Sequence, residues 1–325
     1  MHHTTYLDFT ISLVPLVTRR FQNFDDCQMT TMTSASTATQ KKPLPIRRYL
    51  VARHGETDFN KARRVQGTLD TPRLTLEGIS QAAALGAWAA GRQAQGTRPA
   101  AGGSNGHLGA PRITRTWCSP MMRCRQTYAA VAGCCSSHGR RGRALPDPII
   151  HPGLHEIALR EWQGRLRQEI IEQDPVRWNM FKADPKQLRL DNGRFAPVVD
   201  CWERAQENWS AIRSDAAAAQ VMAATDNDSD LVNPRKEGED ERGVVFIMCH
   251  GAIGQCMLLH ALGMDIDMYG KSRRYAFDNC ECVEIEWADG EERSTRWRRV
   301  HPEETEWLST SASHRMDSGG LISDR

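Results

Sequence analysis

The chain has 325 residues, of which 40% are apolar and 25% charged, with a formal net charge of +2. Such a composition can bury a sizeable core and excludes a chain too polar to fold. The near-neutral balance, without a basic stripe, gives no case for nucleic-acid binding, and no run approaches the roughly 18 to 20 apolar residues of a membrane span.

Residues 1–44 are rich in Thr and Ser and lack sustained periodicity, which reads as a disordered or targeting tail. The apolar run 11–17 is short and broken by Pro15, and Asp8, Asp25 and Asp26 are unusual in an import sequence. A cytoplasmic location is therefore the expectation, with organelle import through residues 1–44 as the alternative. Residues 45–300 read as one domain, interrupted by surface insertions at about 91–111 and 226–242, and residues 301–325 as a flexible C-terminal tail. The ten cysteines form no Cys-x-x-Cys pair and no paired metal-ligand spacing, so reduced structural thiols are expected rather than a metal site.

Within the domain, strand and helix signals alternate. Residues 47–52 read as a buried strand running into Arg53-His54-Gly55. Thr75 can cap a helix with Glu77 in its first turn, a body over 79–90 and Gly91 placed to end it. Residues 113–118 read as a second strand, and Ser119-Pro120 as the start of a helix whose first turn carries Arg123. Residues 162–209 are helical without a strand signal. Residues 244–249 are a third strand, followed by His250-Gly251 and an apolar helix over 252–262. Residues 281–287 and 294–300 flank Ala288-Asp289-Gly290 as a terminal hairpin. This order predicts an α/β three-layer sandwich, a mostly parallel central sheet with helices on both faces. Ligands in such sheets bind beyond the carboxyl ends of the strands, which is where His54, Arg123 and His250 fall.

A lone histidine after a strand is more often structural than catalytic. Here, however, three strand ends deliver Arg53, His54, Arg123 and His250 towards one point. Converging cations repel one another and lose hydration, so the arrangement makes sense around an anion of matching charge, for which a phosphate dianion fits. Arginine offers paired planar donors to phosphate oxygens, and a neutral imidazole is a competent nucleophile towards phosphorus.

Arg53-His54-Gly55-Glu56-Thr57 with Asn60, then Gln66-Gly67, Ser119-Pro120 with Arg123, Leu154-His155-Glu156 with Glu161-Trp162-Gln163-Gly164, and Cys249-His250-Gly251 stand in one order. Together they resemble the histidine phosphatase superfamily, the phosphoglycerate mutase-like family, over about residues 46–300. The resemblance implies that His54 carries the phosphoryl group and that Glu156 is the proton donor. It implies phosphate contacts from Arg53, Asn60, Arg123 and His250, a pocket that includes Gln66, Gly67, Thr68 and Gly251, and no metal or cofactor. Its phosphatase branch implies a phosphomonoesterase acting on a small phosphate ester such as a sugar phosphate, with no nucleic-acid or membrane partner. The alternatives are mutase-type phosphoryl transfer and a non-catalytic scaffold. Oligomeric state stays open, a homodimer included.

Three features depart from the family pattern. Arg73 separates Pro72 from Leu74, Ala252 follows Gly251 where a second Gly is commoner, and the usual Gly-Glu-Ser before the later helix is absent. After Glu156 the sequence lacks the Arg-His-Tyr-Gly of the dependent mutases, which resembles the phosphatase branch. Arg165, Arg167, Arg177, Trp178, Phe181 and Lys182 either cap the site, favouring a multiply anionic sugar phosphate, or form a solvated helical face. Tyr275, Phe277 and Asn279 either border the pocket or pack in the core.

Overall fold

The computed structural model describes residues 46–95, 112–137, 144–226, 243–300 and 308–309. The expected tail over 1–44, most of both expected insertions, and residues 301–307 and 310–325 lie outside the described residues.

Among the described residues, seven strands form one sheet in the order β3-β2-β4-β1-β5-β6-β7. They are β1 (Ile46–Arg53), β2 (Ile113–Cys118), β3 (Ile149–Ile150), β4 (Val244–Cys249), β5 (Cys282–Ala288), β6 (Arg296–Val300) and β7 (Leu308–Ser309). The first four in spatial order run parallel, and β5 to β7 continue the sheet antiparallel. The two short strands β3 and β7 were not anticipated, two residues being too few to leave a periodic signal.

The central strands are apolar on both faces, and their alternation divides the core into two layers. Tyr49, Val51, Val245, Ile247 and Cys249 pack with α6 (Pro197–Asp226) and α7 (Gly251–Ala261). Leu50, Ala52, Val244, Phe246 and Met248 pack on the other side with α2 (Leu76–Gln95) and α3 (Met122–Ser137). The remaining helices, α1 (Asp58–Lys61), α4 (Arg167–Gln173) and α5 (Pro175–Ala183), lie in the long segments that follow β1 and β3. The three-layer α/β sandwich is thus the observed architecture.

Two helix boundaries differ from expectation. Thr75 does cap α2, its hydroxyl accepting from Gly78 N at 3.0 Å, but the helix runs through Gly91 to Gln95. Arg92 reaches Glu284 at 2.5 Å, and the Gln93 side chain exchanges two hydrogen bonds with the main chain of Ile113. These tertiary contacts outweigh the roughly 1 kcal/mol cost of one helical glycine. Helix α3 begins at Met122 rather than at Pro120: the Asp70 carboxylate accepts from Met122 N at 2.6 Å, while the Ser119 hydroxyl is shared between His250 at 2.8 Å and Met121 N at 3.4 Å.

Glu284 is fully buried in β5, where Arg92 and Arg298 both pair with it. Burial raises its pKa, but the two guanidiniums outweigh that effect and hold the carboxyl below its ordinary value. Removing one partner of a buried ion pair leaves an uncompensated charge, which costs about 3 to 5 kcal/mol. Glu284→Ala should therefore lower unfolding stability by about that amount in urea titrations, and Glu284→Leu combined with Arg92→Leu and Arg298→Leu, which removes all three charges, should recover most of the loss.

Candidate active site

The carboxyl ends of the adjacent strands β2, β4 and β1 bring the candidate residues together. His54 follows β1 and is 2% exposed; its backbone N–H donates to Cys249 O at 3.1 Å, which ties the turn to the end of β4. Its Nδ1 lies 2.8 Å from Gly55 O. A carbonyl can only accept, so Nδ1 carries the proton and Nε2 keeps its lone pair. Burial, then the charges of Arg53 and Arg123, push the His54 pKa well below its ordinary value. The ring is a neutral imidazole with Nε2 unpartnered among the described residues.

Gly55 allows the close approach that holds this turn. A Cβ there would stand 2.4 Å from Gly78 O at the start of α2, a distance no side chain tolerates. Thr57 caps α1 and receives Asn60 N at 3.2 Å. The Asn60 Oδ1 accepts from Thr57 N and from Asn279 Nδ2, both at 3.2 Å, leaving its own amide N–H groups for the cavity it lines. Asn279 also donates to His54 O at 3.1 Å, so the loop before β5 fixes the residues after β1.

Two arginines flank the imidazole. Arg123 is fully buried, its terminal nitrogens donating to Leu69 O and Gly67 O at 2.8 Å each and its Nε to His250 Nδ1 at 3.1 Å. Arg53 donates to Phe277 O at 2.7 Å, while its buried Nε has no partner among the described residues. Burial lowers the pKa of both guanidiniums, so each charge is held at a disadvantage that an anion between them would relieve.

His250 accepts from Arg123 on Nδ1 and therefore carries its proton on Nε2, 2.8 Å from the Ser119 hydroxyl. Burial, then Arg123 and His54, hold its pKa well below the usual histidine value. With both ring nitrogens engaged it braces Arg123 and does not line the cavity. Glu156 reaches the first turn of α7: its carboxylate accepts from Ala252 N at 3.1 Å, from Ile253 N at 3.2 Å and from Ile157 N at 2.9 Å. Ala252 in place of the commoner second glycine is no obstacle, because this contact uses its backbone N–H.

Arg53, His54, Asn60, Gln66, Gly67, Arg123 and Glu156 line one cavity of about 180 Å³. Thr68 and Gly251, like His250, do not. The Thr68 amide and hydroxyl both go to Gln163 Oε1, at 2.7 and 3.0 Å, and Gly251 opens α7 beside Arg53. The extra residue Arg73 is absorbed locally, its guanidinium donating to the carbonyls of Asp70, Thr71 and Pro72. Of the residues expected either to cap the site or to face solvent, Arg167, Trp178 and Phe181 line the cavity. Arg165 turns to Gln173, and Arg177 pairs with Glu161 and Asp174. Four contributors had no role at the site in the sequence: Ser119, expected only to start a helix, as the partner of His250, Gln163 as the brace of the Gly67-Thr68 turn, and Arg63 and Arg64 at the mouth. A larger hollow of about 590 Å³ opens beside Arg47 and Trp287, but its arginines are engaged, Arg47 with Asp289 and Arg213 over the Trp287 ring.

The sequence profile described as histidine phosphatase superfamily (branch 1) matches residues 49–228, just over half of the chain. The chain belongs to that superfamily. The match ends before β4, so the position of His250 rests on the structure. Among curated relatives, a probable 2-carboxy-D-arabinitol-1-phosphatase of Arabidopsis thaliana is 24% identical over 252 residues, 78% of this chain and 41% of the relative. A wheat (Triticum aestivum) 2-carboxy-D-arabinitol-1-phosphatase is also 24% identical, over 70% of this chain and 36% of its own. The chain thus spans well under half the length of these relatives. Among solved structures, the fold is similar to mycobacterial hydrolase 2 (TM-score 0.55, 20% identity, 79% of this chain and 91% of that one). It is also similar to YhfR of Bacillus stearothermophilus (TM-score 0.52, 23% identity, 76% and 93%). No helix of the described residues is long and apolar enough to cross a membrane.

The two buried neutral histidines link stability to pH. Their folded-state pKa values lie below the ordinary value of 6.5, so below that pH the unfolded chain binds protons that the folded chain does not. Their contribution is intact above pH 6.5 and is lost as the pH falls from there towards the folded-state values. Urea midpoints measured between pH 8 and pH 5 should fall below about pH 6.5, and His54→Gln should flatten that fall.

Proposed function

We propose that the protein is a phosphomonoesterase that works through a phosphohistidine on His54 and acts on a small phosphorylated metabolite. The observation that carries this reading is the free Nε2 of a neutral, buried imidazole in a cavity walled by Arg53 and Arg123. The Nδ1–H bond to Gly55 O holds the tautomer that exposes the attacking lone pair. Arg53, Arg123 and the Asn60 amide offer donors to the phosphoryl oxygens, where positive charge and fixed N–H groups stabilise the transition state.

In the first step Nε2 attacks phosphorus, the phosphorus–oxygen ester bond breaks, and the Glu156 carboxyl passes its proton to the departing oxygen. In the second step the Glu156 carboxylate takes a proton from water as that oxygen attacks phosphorus. The phosphorus–nitrogen bond breaks and its electron pair returns to Nε2. His250 acts behind Arg123, fixing the guanidinium through Nδ1.

The sequence after Glu156 and the phosphatase names of the curated relatives support hydrolysis over phosphoryl transfer between positions of one substrate. The test is phosphate release from p-nitrophenyl phosphate together with trapping of an acid-labile, alkali-stable phosphoprotein. Both are expected. Interconversion of 2- and 3-phosphoglycerate faster than phosphate release would assign a mutase instead, and absence of both the phosphoprotein and turnover would assign a scaffold.

A further inference from the structure

Asn279 does not line the cavity, but its amide touches two residues that do. Nδ2 donates to His54 O at 3.1 Å and to Asn60 Oδ1 at 3.2 Å. The partners dictate the direction of each bond. A main-chain carbonyl can only accept, so Asn279 must present its nitrogen to His54. The same nitrogen then requires an acceptor from Asn60. Thr57 N makes a matching demand on that oxygen at 3.2 Å, and the Thr57 hydroxyl lies 3.0 Å from it. The orientation of a backbone carbonyl is thus passed through Asn279 to the amide of Asn60, whose Nδ2 is left for the cavity.

The turn that carries Asn279 is held in a costly shape. Cys280 adopts a left-handed backbone (φ 56°), which a residue other than glycine takes only against resistance. In that conformation its N–H donates to His54 O at 3.2 Å, beside the Asn279 amide. Such a backbone persists only where its surroundings over-determine it. Here Glu281 N donates to Asp278 O at 3.1 Å, and Asp278 N to the Glu281 carboxylate at 2.8 Å. Arg53 N donates to Glu281 O at 3.0 Å, and the Arg53 guanidinium to Phe277 O. Residues 277–281 therefore grip Arg53, His54 and Asn60 together, three residues of the cavity wall.

We propose that Asn279 is a positioning residue for phosphoryl transfer, one that turns the Asn60 amide so that Nδ2 rather than Oδ1 faces the phosphoryl oxygens. A reversed amide would set an acceptor against an anion and lose a charge-assisted hydrogen bond. The inference rests on the reading of the His54 cavity as the phosphoryl site, and phosphate binding is followed separately from turnover so that the two can fail independently.

The first measurement is a double-mutant cycle on turnover of p-nitrophenyl phosphate by the full chain. Asn279→Ala should lower turnover by about 10- to 100-fold, the scale of a misplaced group at a reacting centre. In an Asn60→Ala background the same change should cost less than about threefold, because the residue it acts through is gone. Asn279→Asp keeps the shape but offers two acceptors where a donor is needed, so its turnover should fall below that of Asn279→Ala; a residue that only filled space would give the reverse order. The second measurement needs no turnover. The side-chain amide signal of Asn60, identified by its loss in Asn60→Ala, should move downfield in ¹H–¹⁵N spectra when inorganic phosphate is added to the wild type, and should stay in place in both Asn279 variants. Equal losses from Asn279→Ala with and without Asn60, or full turnover by Asn279→Asp, would overturn the proposal. Should the wild type hydrolyse nothing, a phosphate-induced shift that the Asn279 variants abolish would support the positioning role while the phosphatase reading fails, and absence of the shift would overturn both.

Discussion

Replacing His54 by alanine is expected to reduce phosphate release by on the order of 10⁴-fold or more, the scale at which a covalent nucleophile is lost. The acid-labile phosphoprotein should vanish with it. The fold should survive, because the His54 side chain makes one hydrogen bond, to its own neighbour Gly55, while the strand pairing of β1 does not involve the ring. Arg53 and Arg123 keep their main-chain anchors on Phe277, Leu69 and Gly67. His54→Ala should therefore still gain thermal stability from inorganic phosphate, which separates loss of the nucleophile from loss of the binding site. Retention of full hydrolysis by His54→Ala would overturn the mechanism.

Glu156→Gln is the second large effect, about 10² to 10⁴ in turnover of an alkyl phosphate, the range for a general acid or base. Glutamine preserves shape and leaves one carbonyl oxygen to accept from Ala252 N and Ile253 N, so α7 should keep its start. The decisive readout is the leaving group. An alkoxide needs a proton, which the proposed mechanism draws from Glu156, whereas p-nitrophenolate departs without one, so the first step should slow far more for glycerol 3-phosphate than for the aryl ester. In the proposed mechanism hydrolysis of the phosphohistidine uses the same carboxylate as base, so the phosphorylated intermediate should accumulate in rapid-quench measurements with the aryl substrate. An equal loss on both substrates, without accumulation, would reduce Glu156 to an anchor for α7.

Much of the site was legible because its chemistry is written in short segments at strand ends. β2 and β4 occur over the residues expected, and His54, Arg123 and the residues around Glu156 meet where an α/β sheet opens. What escaped the sequence depended on distant contacts. Nothing within 79–95 announces that Arg92 will find Glu284, so Gly91 reads as a stop. Ser119 reads as a helix cap because its local neighbours are right for one, yet its hydroxyl is shared between Met121 N and a histidine 131 positions later, and Asp70 takes Met122 N. Arg63 and Arg64 look like ordinary solvated loop residues until Leu166 and Arg167 are laid beside them. His250 came out of the sequence as a phosphate contact, and the geometry gives it another task, because both of its nitrogens are occupied.

The strand that leads into His54 is among the first parts of the domain to be synthesised, and its two neighbours in the sheet are β4 and β5. The bond from Asn279 to His54 O closes a loop of 225 positions, and the bond from Arg53 to Phe277 O closes one of 224. On a ribosome, His54 therefore waits for the 225 positions that separate it from Asn279 before the chain that orients it exists. Activity should appear abruptly as β5 emerges, and no fragment ending before β4 should show any of it, however well its helices form. Contacts this distant in sequence also make folding slow, since the cost of closing the loop comes before the contacts that repay it.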